Sequence, residues 1–452
     1  MLGRRSAESH PSSDSRGDLK SVVSADMNHL WCRAFRGGSS MSSTPLLPPR
    51  RVGPAGRVAA AAAIAIGVLV TAAAPVTAAP APVAADPDPF YGQPTDVGDH
   101  APGDVLAARR MPALPQFPGT TVWQVQFRST GSEGRPIAAV TTILVPDVRP
   151  PSGPLLSYQH IINALGTHCA PSRTLYTADP DLTIREAPAL NIALARGWTV
   201  ALPDHLGPSS AYGAARLGGQ ITLDGIRAAQ RVPELGLATS PVGMAGYSGG
   251  GMATAFAAAL APSYAPELDI VGAAAGGVPM NLGKMARGLG TAPHPAFGLA
   301  LAAALGLERE YPDRLPVSEQ LNAQGLAMRD AVADACTNGI LLTGAGHSAS
   351  EIATTTDLLS SPTAQDVLSD NSIEDYPGVP TAPLFEWHSP TDALIPVDSI
   401  DATLQRYCRA GARVESELFP SPDHLTTAVL GAPRALDYLD ARFRGEPAPS
   451  TC

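Results

Sequence analysis

The run Val242-Gly243-Met244-Ala245-Gly246-Tyr247-Ser248-Gly249-Gly250-Gly251 constrains this chain more than any other stretch. A short apolar segment passes through glycines set two before and two after a serine, then continues into the alanine-rich residues 252–260. That order reads as strand, sharp turn and helix, the setting of a nucleophile elbow. Glycine leaves room for a turn in which larger side chains would collide, and the turn lifts the Ser248 hydroxyl clear of the sheet. The helix that begins there points free N–H groups and its positive dipole end at an oxyanion forming beside the serine. The competing reading is a glycine-rich packing turn without chemistry.

A serine hydroxyl is a weak nucleophile until a base takes its proton and a carboxylate orients that base. Asp392 lies just past the apolar stretch 384–387, and His424 lies just past the strand-like stretch that ends at Phe419. The chain order Ser, Asp, His is that of an α/β-hydrolase. Each residue also has a plainer reading. Asp392 would serve as a helix cap, although Asp398 stands closer to the helix expected from residue 399 and is the second candidate for the carboxylate. His424 would simply open a helix that Asp423 caps, with His388 as the second candidate base. His160, His168, His205, His294 and His347 are too scattered to suggest a metal; His205 ends a strand and is expected to line the site.

Around these residues, apolar stretches at 154–160, 198–204, 242–247, 269–277, 383–388 and 414–419 alternate with helical stretches at 184–196, 223–232, 399–410 and 425–443. That rhythm predicts an α/β fold, with a mostly parallel sheet covered on both faces. The alternating stretches 121–128 and 137–145 read as a hairpin at the sheet edge, after a Pro-rich surface lead-in over 79–118. From 279 to about 377 the rhythm gives way to a mainly helical insertion. The expected organisation is therefore core over 79–278, cap over 279–377 and core again over 378–452.

The first part of the chain reads differently. Arg50, Arg51 and Arg57 precede an apolar run at 58–70, followed by Val76-Thr77-Ala78, the three regions of an export signal over 41–78 with cleavage near Ala78. A permanent membrane span is the alternative, and residues 1–40 are read as a misassigned or disordered extension. Up to residue 78 there are 9 Lys/Arg and 4 Asp/Glu; the remainder carries 22 and 37, a net of −15, which argues against nucleic acid as a partner. Cys169, Cys336, Cys408 and Cys452 remain after the signal, an even number that permits three pairings in an exported chain. Their places favour Cys408 with Cys452, pinning the C-terminus, and Cys169 with Cys336, tying cap to core.

Several motifs fall together in order. Gly246-Tyr247-Ser248-Gly249-Gly250-Gly251, Tyr158-Gln159 ahead of Cys169-Ala170-Pro171-Ser172, Pro203-Asp204 with Leu206-Gly207, and Asp392 with Ile395-Pro396 resemble the secretory lipase family from about residue 89 onward. The resemblance implies an α/β-hydrolase fold with an inserted helical cap and a triad of Ser248, Asp392 and His424. It implies oxyanion donors at Gly249 and, on the loop after Tyr158-Gln159, at Asn163; a yeast member has aspartate there, so a backbone donor carries over and a side-chain role does not. The expected protein is a secreted serine hydrolase without metal or cofactor, acting on carboxylic esters such as triacylglycerols at a lipid interface. Tyr247 is expected at the substrate, and Phe297 and Leu301 in an apolar wall for its acyl chain. The alternatives are an acyltransferase with the same triad, or a non-catalytic cell-surface binding protein on a hydrolase scaffold.

Overall fold

A computed structural model describes residues 78–452 apart from Pro422. The extension expected over 1–40 and, save for Ala78, the export signal expected over 41–78 lie outside the described residues. Among the described residues no helix is long and apolar enough to cross a membrane.

Nine strands form one sheet: β1 (Val105–Met111), β2 (Thr120–Thr130), β3 (Pro136–Pro146), β4 (Leu155–Gln159), β5 (Thr199–Pro203), β6 (Val242–Tyr247), β7 (Ile270–Gly276), β8 (Leu384–His388) and β9 (Val414–Leu418). Their spatial order is β1-β2-β3-β5-β4-β6-β7-β8-β9. The first three are antiparallel to their neighbours, and from β5 to β9 every pairing is parallel. Alternation along the central strands splits the core in two. Leu155 and Met244 face one apolar cluster with α2 (Ala215–Arg231) and α3 (Gly249–Tyr264), while Leu156 and Ala245 face another with α1 (Ala187–Ala195).

Two elements depart from expectation. The Pro-rich lead-in, expected as a surface wrap beside an edge hairpin, supplies the edge itself, because β1 pairs with β2 outside that hairpin, and Arg109 and Arg110 give it a charged border. The helix expected at 223–232 starts two turns earlier, at Ala215. Gly218 and Gly219 look like breakers in sequence, but they sit where α2 crosses α3. A Cβ on Gly219 would lie 2.9 Å from the Phe256 Cβ, so glycine there permits close helix packing.

Between β7 and β8 the chain builds a helical cap from α4 (Leu282–Gly290), α5 (Phe297–Glu310), α6 (Ala323–Val332), α7 (Thr337–Gly344) and α8 (Pro362–Asp370). Its own apolar cluster joins Phe297, Leu301 and Leu305 to Met328, Val332 and Ile340. The core resumes with β8, α9 (Val397–Arg409), β9 and α10 (His424–Phe443). Both expected disulfides are present: Cys169–Cys336 links the segment after β4 to the start of α7, and Cys408–Cys452 fastens the C-terminus to α9.

Candidate active site

Ser248 stands between β6 and α3 with φ 56° and ψ −122°, a backbone state that costs a non-glycine residue on the order of 1–3 kcal/mol and persists where surroundings impose it. The surroundings here are two crowded glycines and two backbone hydrogen bonds. A Cβ on Gly246 would lie 2.5 Å from the Gly250 carbonyl oxygen, and one on Gly250 only 2.0 Å from that of Gln159. Ser248 N–H donates to Gly276 O at 2.9 Å, and Ser248 O accepts the Met252 N–H at 2.8 Å, so the turn is fixed on both sides.

His424 is the first residue of α10, and Asp423 before it caps the helix through Thr426 N–H at 2.8 Å. Since Asp423 supplies the cap, the imidazole is left for another partner. Its Nδ1 lies 2.6 Å from Asp392 Oδ2, while Asp392 Oδ1 accepts the N–H groups of Leu394 at 2.9 Å and Ile395 at 3.1 Å. Burial alone would raise the Asp392 carboxyl, but the His424 bond and the two amides hold it below the ordinary carboxylate range. An ionised carboxylate on Nδ1 fixes the proton there and leaves Nε2 as the basic nitrogen. That Nε2 is buried and has no hydrogen-bond partner among the described residues.

Histidine and serine approach the same corner of the sheet, with no hydrogen bond between Ser248 Oγ and His424 Nε2 among the described residues. A Cβ on Gly277 would lie 3.0 Å from His424 Cε1, and Gly276 beside it accepts the Ser248 N–H. Tyr247 backs this corner: its hydroxyl donates to His424 O at 2.6 Å, and its ring sits 4.9 Å from the imidazole centroid. Tyr247, expected at the substrate, is turned by strand alternation to the α10 face, where it supports the histidine and is 2% exposed.

The rival residues go elsewhere. Asp398 is no helix cap, because α9 begins at Val397 behind Pro396, and its carboxylate pairs with Lys284 at 2.7 Å. His388 Nδ1 lies 2.9 Å from buried Glu386 Oε2. Alternation puts both on the opposite face from Trp387, whose ring contacts Tyr247. Phe297 and Leu301, expected at an acyl chain, belong to the cap's apolar cluster and are 2% and 4% exposed, so they pack the cap interior.

Asn163 does reach the elbow. A Cβ on Gly249 would lie 2.8 Å from Asn163 Oδ1, which has no hydrogen-bond partner among the described residues. His205 touches the same loop from behind. Burial pushes it down to about 4, so the ring is neutral at pH 7, and its Nε2 donates to His160 O at 2.9 Å. Glu186 escapes a reading of the sequence, where it looks like one more helix-start acid. Its Oε2 lies 2.8 Å from His160 Nδ1 and its Oε1 accepts Ile161 N–H at 3.1 Å. His168, Cys169 and Cys336 form a ligand-like cluster, but the disulfide engages both sulfurs.

The Secretory lipase family model matches residues 180–451. This chain belongs to the secretory lipase family. A protein of Mycobacterium tuberculosis named as a probable inactive lipase is 36% identical over 80% of this secretory lipase and 82% of its own length. Lipase A of Moesziomyces aphidis is 31% identical over 81% of both. The closed-state crystal structure of Candida antarctica lipase A superposes with a TM-score of 0.76 at 30% identity, covering 81% of this chain and 89% of that one. Membership places the chain among ester hydrolases of the lipase type, with the α/β-hydrolase fold and helical cap already described.

Proposed function

We propose that Ser248, His424 and Asp392 hydrolyse carboxylic esters, with acylglycerols as the substrate class and the mature chain exported. In this reading residues 279–377 are the cap on a core made of 79–278 and 378–452. The observation that carries it is the His424–Asp392 contact at 2.6 Å with Nε2 left free, beside a serine held at φ 56°. His424 Nε2 takes the Ser248 Oγ proton as Oγ bonds to the ester carbonyl carbon. The carbonyl oxygen becomes an oxyanion facing the N–H groups of Gly249 and Asn163. Collapse breaks the ester C–O bond, the departing alkoxide takes the proton from Nε2, and an acyl-serine remains. Water then repeats the cycle, with His424 as base and then acid, and the acid product leaves.

A second reading, a non-catalytic protein on the same scaffold, is favoured by the name of the Mycobacterium tuberculosis relative. One experiment separates them: fatty-acid release from emulsified triacylglycerol and turnover of p-nitrophenyl esters by the purified mature chain, with Ser248→Ala as control. Turnover that Ser248→Ala lowers by about 10³-fold or more supports the triad. No turnover on either substrate supports the second reading, and activity on soluble esters alone narrows the enzyme to an esterase.

A further inference from the structure

Residues 160–166 follow β4 and carry Asn163, and side chains from separate parts of the chain hold their carbonyls. His205 Nε2 donates to His160 O at 2.9 Å, Thr337 Oγ1 to Asn163 O at 3.2 Å, Ser210 Oγ to Ala164 O at 3.2 Å, and Arg309 Nη1 to Leu165 O at 2.6 Å. His205 and Ser210 come from the core after β5, whereas Arg309 ends α5 and Thr337 opens α7. The cap thus fixes this loop together with the sheet.

Arg309 does the most. Its guanidinium also donates to Ser209 O at 2.8 Å and to Ala333 O at 2.6 Å, and makes no ion pair among the described residues. Two residues beyond Ala333, the Ala335 carbonyl accepts the N–H groups of Leu165 at 3.0 Å and Gly166 at 3.3 Å. A partly desolvated cation aimed at carbonyls, on which Asp334 and Glu308 act only from beyond ion-pair distance, lacks the compensation of a direct ion pair. What its rigid planar fork provides is placement, joining the Asn163 loop, the loop after β5 and the cap segment at 333–337.

We propose that Arg309 is a positioning residue, which from the cap sets where the Asn163 N–H stands relative to the Gly249 N–H at the oxyanion. This rests on the reading of Ser248 as nucleophile and Asn163 as the second donor. The donors act only at the place the oxyanion will occupy, and a shift of about 1 Å costs on the order of 100-fold in rate. Loosening the loop weakens the transition state while leaving the bound ester largely unaffected.

The test is steady-state kinetics of Arg309→Met, Arg309→Lys and Thr337→Val on a soluble ester. It is paired with the affinities of a trifluoromethyl ketone, which forms the tetrahedral adduct, and of the matching ether, which has no carbonyl. Arg309→Met is expected to lower kcat roughly 10- to 100-fold with KM within about threefold, and to weaken the ketone in parallel while the ether binds as before. Lysine reaches one carbonyl at a time and falls between. Thr337→Val, nearly isosteric, removes the bond on the Asn163 carbonyl itself and shows the same split at a few-fold; it decides the matter if Arg309→Met does not fold. Unchanged kcat, or ether affinity lost as fully as ketone affinity, overturns the proposal. Undiminished turnover in Ser248→Ala overturns the site reading itself, whereas an inert Ser248→Ala beside a fully active Arg309→Met overturns only the role of Arg309.

Discussion

Two aspartates six residues apart separate the chemistry from its imitation. Asp392→Asn is expected to lower turnover by roughly 10³-fold or more, because an amide facing Nδ1 no longer fixes the imidazole tautomer. Asp398→Asn removes a surface ion pair with Lys284, worth about 0–1 kcal/mol, and should leave kcat within a few-fold. Kinetics of both variants check this, and the reverse pattern would move the carboxylate role to Asp398. The neighbouring pair Asp204 and His205 makes a different prediction. Burial pushes Asp204 up to about 6 from 3.8, so its contribution to stability is present at low pH and is lost as pH rises through that window. Burial pushes His205 down to about 4 from 6.5, so its contribution is lost as pH falls through its own window. The two oppose each other between about pH 4 and 6. Asp204→Asn should therefore steepen the loss of stability on acidification, read by urea unfolding at stepped pH; an unchanged slope would contradict the opposition. The turn at Ser248 and the approach of Asp392 to His424 were legible in the sequence because each residue follows a strand-like stretch in the right order. The supports were not: Glu186 meets His160 and Arg309 meets Leu165 only through tertiary approach, and no local pattern marks such partners.

Glycine means different things in different elements, and paired substitutions show it. Gly250→Ala places a Cβ 2.0 Å from the Gln159 carbonyl oxygen and is expected to prevent folding of the elbow. Gly288 lies within α4, and a methyl added there would meet nothing within 4 Å, so Gly288→Ala should stabilise by about 0.5–1 kcal/mol. Thermal unfolding checks both, and a destabilised Gly288→Ala would show that α4 does not hold this conformation. The same distinction explains what could be read in advance. Strands β4 to β9 announce themselves as apolar runs between helical stretches. The first turns of α2 do not, since Gly218 and Gly219 owe their presence to α3 across the interface. Strand β1 is hidden because an edge strand buries little and carries arginines where a central strand would carry valine.

At the scale of the whole molecule, the two disulfides close loops of unequal length, 167 and 44 residues apart in sequence. Chain entropy predicts that breaking Cys169–Cys336 costs roughly 1 kcal/mol more than breaking Cys408–Cys452. Denaturant unfolding of the paired Cys→Ser variants reads that difference, and equal losses would point to residual structure in the unfolded chain. The longer bridge also joins the cap to the segment after Asn163, so its removal should lower kcat as well as stability, whereas the C-terminal bridge should affect stability alone. In the proposed reading, cap and sheet converge on one activated serine. Its most direct measurement is labelling of the mature protein with a fluorophosphonate, followed by peptide mapping. A single adduct is expected on Ser248, absent in Ser248→Ala and slowed by roughly 10³-fold in Asp392→Asn. An unlabelled wild-type protein, or an adduct on any other residue, would contradict it.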